Sequence, residues 1–198
     1  MTLPEGITDV APGKLATVVT YLQMLERPAP RNLARPEGVE LILHPAPEVG
    51  WYRDLYRRVG QEYLWFSRLV MEADRLAAHL ASGQVEVWSL RKGGADLGLL
   101  ELEWLQDGAC ELSFFGLAAE LTGGGIGRWL MEQALERAFS RPITRFFVHT
   151  CTLDSAQALG FYIRSGFVPD GRAVEIADDP RLTGLVPQAC APQVPLLR

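Results

Sequence analysis

Leu117–Met131 reads LAAELTGGGIGRWLM and joins two different hydrophobic periodicities. Upstream, Cys110–Leu117 (CELSFFGL) has the length and composition of a strand. Downstream, Ile126, Leu130, Ala134 and Ala138 form one stripe with Leu135 and Phe139, while Glu132, Gln133, Glu136 and Arg137 fall outside it. That spacing predicts a helix. Glycines crowd the junction, at 123, 124, 125 and 127. Glycine permits positive φ and close approach to the backbone. The first N–H groups of the helix lack intrahelical partners and carry the positive end of its dipole, roughly half a unit charge. A pyrophosphate fits such a place. A tight strand-to-helix turn with no ligand has the same composition. The spacing excludes two other phosphate motifs. G-x-G-x-x-G needs glycine at Arg128 or Leu130, and a P-loop needs G-K-[ST] where Gly127-Arg128-Trp129 stands.

Working outward, Val85–Leu90 and Leu97–Leu105 alternate and are closed by the turns Lys92-Gly93-Gly94 and Gln106-Asp107-Gly108. With Cys110–Leu117 they predict an antiparallel meander. Val39–Leu43 is a further strand, and helices are expected over about Glu48–Val59 and Tyr63–Leu80, the second broken near Glu72. After the glycine loop come a strand at Ile143–Thr150, a short helix at Ser155–Arg164 ended by Gly166, and a last strand near Ala173–Ile176. The order β, α, α, β, β, β, α, β, α, β describes a mixed α/β (α+β) sheet, not a doubly wound one. Residues 1–37, punctuated by five prolines, are expected to form an extension packing on a main domain at 38–198. Within them Leu15–Leu25 (LATVVTYLQML) reads equally as strand or short helix. The tail from Asp178 looks irregular.

The chain has 198 residues, 48% of them hydrophobic, enough for one domain with its own core. Its net charge of −5 argues against a general nucleic-acid partner. Three scattered cysteines, Cys110, Cys151 and Cys190, suit neither a disulfide framework nor a structural zinc site, and no metal is expected. No apolar run approaches the roughly 18 residues of a membrane span, and the N-terminus lacks the apolar core of a signal peptide. A cytoplasmic location follows by default.

The loop resembles the R/Q-x-x-G-x-G/A segment of the GNAT acyltransferase superfamily, with Gly125 and Gly127 at its two small positions and Thr122 where Arg or Gln is usual. Ser155–Phe167 (SAQALGFYIRSGF) resembles the superfamily's N-x-x-A-x-x-x-Y-x-x-x-G-F segment, matching at Ala158, Tyr162, Gly166 and Phe167, with Ser155 in place of Asn and Asp154 beside it. The resemblance covers about Val39–Ile176. It implies a GNAT fold, a mostly antiparallel sheet flanked by helices, whose splayed central strands hold acyl-CoA. It implies acetyl-CoA as co-substrate and a small-molecule or peptide amine as acceptor, with a homodimer left open. Cofactor contacts would fall on Phe115, Leu117 and Ala119, on Thr122, Gly123, Gly124, Gly125, Ile126, Gly127 and Arg128, and on Asp154 and Ser155.

Direct acyl transfer needs a base for the attacking nitrogen and an acid for the departing thiolate. Tyr162 is the expected acid, since a phenol is protonated at neutral pH and the matched position points toward the cofactor sulfur. A helix tyrosine packed on the core is the alternative. Glu111 is the expected base; strand alternation gives it the parity of Ser113, Phe115 and Leu117. Glu101 and Glu103 are rivals for that role. His149 is a further candidate to orient substrate or relay a proton, against the reading of a structural histidine. Trp65, with Trp51, Tyr52, Tyr56, Tyr63 and Phe66, lies where the resemblance places the acceptor, though helix packing also accounts for such a cluster. Gly125→Val is expected to impair coenzyme A binding with little effect on the fold. A non-catalytic acyl-CoA sensor with the same fold is the second functional reading.

Overall fold

The computed structural model describes residues 5–121 and 123–198. Its frame is one seven-stranded sheet in the order β2-β3-β4-β5-β6-β1-β7. The strands are β1 (Lys14–Met24), β2 (Val39–His44), β3 (Val85–Lys92), β4 (Ala95–Trp104), β5 (Ala109–Leu117), β6 (Arg145–Cys151) and β7 (Val168–Asp178). The helices are α1 (Val49–Gly60), α2 (Ser67–Val70), α3 (Ala73–Leu80), α4 (Ile126–Ala138) and α5 (Ala158–Ser165). All strand pairs are antiparallel except β5·β6. No helix among the described residues is long and apolar enough to cross a membrane.

Two clusters of buried residues cover the two faces. Leu100, Leu102, Leu112, Trp129, Leu130 and Phe146 belong to the cluster under α4 and α5. Tyr52, Tyr56, Leu76, Leu99 and Val186 belong to the cluster under α1, α3 and the C-terminal tail. α1 starts where the Glu48 carboxylate accepts hydrogen bonds from the N–H groups of Gly50 and Trp51, both 2.8 Å, and so satisfies two orphan donors. Its buried face is Tyr52, Leu55, Tyr56 and Val59, with Trp51 only half-buried. Each fully buried tyrosine there contributes on the order of 2 kcal/mol. The helix expected from Tyr63 starts only at Ser67: Leu64 turns left-handed at φ 55°, and Met71-Glu72 is extended between α2 and α3.

Residues 1–37, expected as an extension, instead supply an internal strand. β1 pairs with β6 from Val19↔Cys151 to Met24↔Phe146 and with β7 from Lys14↔Asp178 to Gln23↔Val168. A boundary at residue 38 therefore cuts through the sheet. The tail after Asp178 is folded as well, around Arg181. Its guanidinium pairs with Asp179 at 2.7 Å and donates to the carbonyls of Cys190, Ala191 and Val194. Both charged groups are buried, and the hydrogen bonds offset the desolvation that such burial entails.

Candidate active site

The site is a gap in the sheet. β5 and β6 pair only at Ala109↔Arg145, Cys110↔Phe146 and Glu111↔Phe147. Beyond Glu111 the strands part, and the edge of β5 from Leu112 to Leu117 faces a cavity of about 590 Å³. Val148, His149 and Cys151 line the opposite side. Backbone polar groups on such a parted edge need partners, which an extended amide-bearing ligand can supply.

A bulge re-aims β5 at this point. Glu101 pairs with Phe114, but Leu102 pairs with Leu112, so Ser113 is the extra residue. Glu111 thus shares a face with Glu103, while Phe115 and Leu117 lie on the other face, opposite Leu100 and Gly98. The common parity expected for Glu111, Ser113, Phe115 and Leu117 does not hold, because simple alternation takes no account of a bulge. The Ser113 hydroxyl is buried with no partner among the described residues, and it lines the cavity.

At one end of the gap the glycine loop enters α4. Gly123, Gly124 and Gly125 have φ of 95°, 59° and 79°, a conformation side chains resist. Gly125 is the N-cap of α4. A Cβ on Gly125 would adopt that strained φ and meet the Arg128 guanidinium at 3.2 Å. Gly125→Val therefore perturbs the fold as well as any ligand, against expectation. Gly127 is different: it lies in the first turn of α4 and lines the cavity, and a Cβ there would meet Leu117 at 3.8 Å and Phe161 at 4.0 Å, both ordinary contacts. Thr122 lies outside the described residues. Of the other expected cofactor contacts, Phe115, Leu117, Gly123, Gly127, Asp154 and Ser155 line the cavity. Gly124, Gly125, Ile126, Arg128 and Ala119 do not line it, though Gly124, Gly125 and Arg128 sit at the same helix start.

Tyr162 on α5 faces the gap from the α4 side. It is packed edge-on against Phe115 and Phe167, at 6.4 and 5.9 Å between ring centres. Burial, and secondarily the charge of Asp154, push its phenol well above the usual range, so it stays protonated. From the other face, Glu111 Oε1 lies 3.3 Å from His149 Nδ1. Glu111 itself does not line the cavity; His149 does, with its side chain half exposed. The hydrogen bond to Glu111 raises the His149 pKa above 6.5, opposed by desolvation and aided by the charges of Glu111, Asp154 and Glu175.

The other carboxylates of this region are engaged. Glu101 is fully buried, accepts from Arg68 at 2.6 Å and from the Tyr52 hydroxyl, and is closed to substrate. Glu103 lies 3.7 Å from His79, away from the cavity. Asp154 accepts from Thr150 Oγ1 at 2.6 Å, the Cys151 N–H at 2.9 Å and Trp65 Nε1 at 3.3 Å. Trp65 is seated by glycines: a Cβ on Gly60 would lie 2.2 Å from its ring, and one on Gly116 would lie 3.3 Å from it. With Tyr56 and Phe114 it forms an aromatic wall, ring centres 4.9 to 5.5 Å apart. Missed from the sequence were Thr17 and Glu175, which line the cavity from β1 and β7. Only the pairing of those two strands reveals them.

A mostly antiparallel sheet whose single parallel pair parts beside a glycine-rich helix start is the GNAT fold. Residues 40–167 match the family model of the acetyltransferase (GNAT) family, and the chain belongs to that family. Among solved structures, a GCN5-related N-acetyltransferase from Sphaerobacter thermophilus aligns with TM-score 0.61 and 12% identity over 85% of this chain and 52% of that one. A conserved protein of unknown function from Staphylococcus epidermidis aligns with TM-score 0.57 and 19% identity, over 84% of this chain and 64% of that one. An aminoglycoside acetyltransferase from an uncultured soil metagenomic sample, in complex with sisomicin, gives TM-score 0.55 and 13% identity over 65% of this chain and 88% of its own. The chain thus spans less than two-thirds of the length of the first two. At these identities the likeness is one of fold. No functionally curated protein matches the chain in sequence.

Proposed function

We propose that the protein is an N-acetyltransferase that moves the acetyl group of acetyl-CoA directly to a primary amine. The observation that carries this is the parted β5·β6 pair, with a protonated phenol on one face of the sheet and a histidine–carboxylate pair on the other. The residues present fit acyl-CoA. The left-handed glycines and the start of α4 suit its pyrophosphate, and the parted edge of β5 suits its amide-bearing arm. Bound there, the co-substrate supplies the activated acyl group.

The protein's own groups then divide the proton work. Glu111 accepts a hydrogen bond from the Nδ1–H of His149, which leaves Nε2 to take a proton from the attacking nitrogen. As the carbon–nitrogen bond forms and the carbon–sulfur bond breaks, Tyr162 gives its proton to sulfur. The products are the amide and the free thiol, and both side chains return to their starting state by exchange with water. In this arrangement Glu111, expected as the base, acts behind His149. The test is thiol release from acetyl-CoA across a panel of amines, amino acids, polyamines and peptides. Release that depends on amine and on Tyr162 supports the proposal; coenzyme A binding without release from any amine defeats it.

A further inference from the structure

The far half of the cavity is built outside the matched family segment. Leu15 and Thr17 come from β1, and Glu175 and Ala177 from β7. Thr17 pairs with Glu175, Val19 with both Ala173 and Cys151, and Tyr21 with His149. Alternation along antiparallel strands therefore puts Thr17, Glu175, Cys151 and His149 on one face.

Two of these groups are unspent. The Thr17 residue is only 6% exposed, and its hydroxyl has no hydrogen-bond partner among the described residues. A buried hydroxyl without a partner is unfavourable unless a ligand completes it. Glu175 is an exposed residue that lines the cavity and forms no salt bridge among the described residues, unlike Asp154, whose oxygens are occupied. Much of the remaining wall is apolar or aromatic, from Leu15, Tyr56, Trp65, Phe66, Phe114 and Leu153, with Tyr63 and Ser67 beside them. Among the described residues, no lysine or arginine lines the cavity.

Resting on the transferase reading above, we infer that the acceptor is a primary amine on an apolar, ring-sized body that carries no carboxylate, with its ammonium seated between Glu175 and Thr17. The ammonium sheds one proton to water there, and the neutral nitrogen attacks with His149 taking its second proton. The aromatic wall takes the body, whose burial is favourable. A carboxylate beside the amine would meet Glu175 with no lysine or arginine among the described lining residues and with His149 neutral whenever it serves as base, and like charges held together are strongly disfavoured.

The experiment compares 2-phenylethylamine with phenylalanine, which differ by that carboxylate, in full-length wild type, Glu175→Gln and Thr17→Val. Thiol release is measured, together with the melting temperature of the coenzyme A complex with each compound. The expected result is a kcat/KM for 2-phenylethylamine about 10²-fold above that for phenylalanine. Glu175→Gln should raise KM about tenfold with kcat nearly unchanged, and Thr17→Val should raise it severalfold. Equal use of phenylalanine, or a KM indifferent to both substitutions, overturns the inference even if turnover is brisk. Should no amine be turned over, a melting shift from 2-phenylethylamine that is lost in Glu175→Gln still supports the seat, while the transferase reading fails alone. No shift and no turnover overturns both.

Discussion

The two sides of the gap in the sheet are made differently. The side that faces α4 and α5 is built from contiguous sequence: one strand, a glycine loop, a helix start, and a short helix some thirty residues on. In the proposed function its ligand chemistry rests mainly on backbone, on N–H groups at a helix start and on an edge left unpaired. The other side is assembled from β1, β7, the segment before α2 and the end of β6, parts spread from residue 15 to residue 177. Its chemistry rests on side chains. Backbone geometry constrains sequence tightly and leaves motifs; a side-chain wall constrains it loosely and leaves none. The first side lies within the segment that matches the family, and in the proposed function the second selects the acceptor.

Breaking the second side at its root gives the largest effect. Deleting residues 1–24 removes β1 from between β6 and β7, which lose their shared neighbour. Loss of cooperative unfolding is expected, read by circular dichroism against temperature. If the shortened chain still melts cooperatively and binds coenzyme A, β1 is an accessory and the division drawn above fails. On the first side, Tyr162→Phe removes only a hydroxyl from a packed ring. Turnover should fall about 10²-fold or more while coenzyme A still raises the melting temperature as in wild type. Unchanged turnover would make Tyr162 a core residue and nothing more.

What was legible in the sequence follows the same division. The meander, the glycine loop and α4 announce themselves through local periodicity and spacing, and Tyr162 through the resemblance of Ser155–Phe167 to the family's segment. β1 does not, because its partners lie more than a hundred residues away and the run Leu15–Leu25 carries apolar residues at both parities, which leaves its period undecided. The bulge at Ser113 was hidden for a related reason. Period-two reasoning assigns Glu111 and Phe115 to one face, and a single extra residue exchanges them. The Glu111–His149 contact joins two strands through tertiary pairing, so each residue was visible singly and their pairing was not.

Gly127→Val sharpens the first side without touching the second. The added side chain stands where the helix start meets Leu117 and Phe161, at a position free of backbone strain. Coenzyme A affinity should weaken by about tenfold, roughly 1.4 kcal/mol, by calorimetry, with the apo melting temperature little changed. Unaltered affinity would move the pyrophosphate away from this helix start.

The smallest expected effect is also the most diagnostic of the second side. The His149 pKa lies above 6.5 chiefly because of its hydrogen bond to Glu111. A base works only when neutral, so kcat should rise with pH as His149 loses its proton, with the midpoint above 6.5. Glu111→Gln removes the largest raising influence and leaves the opposing desolvation in place, so that midpoint should move to lower pH. Well above both midpoints the two enzymes should differ little, and below them the variant should be the faster, unless the new amide holds the wrong tautomer. Glu175→Gln removes the least of the raising charges and should shift the midpoint the same way by less. Using kcat confines the profile to groups in the loaded complex and keeps ionisation of the free amine out of it. A midpoint that both substitutions leave unmoved would mean that the titrating base is not His149, and the proton would have to leave the nitrogen by another path on this face.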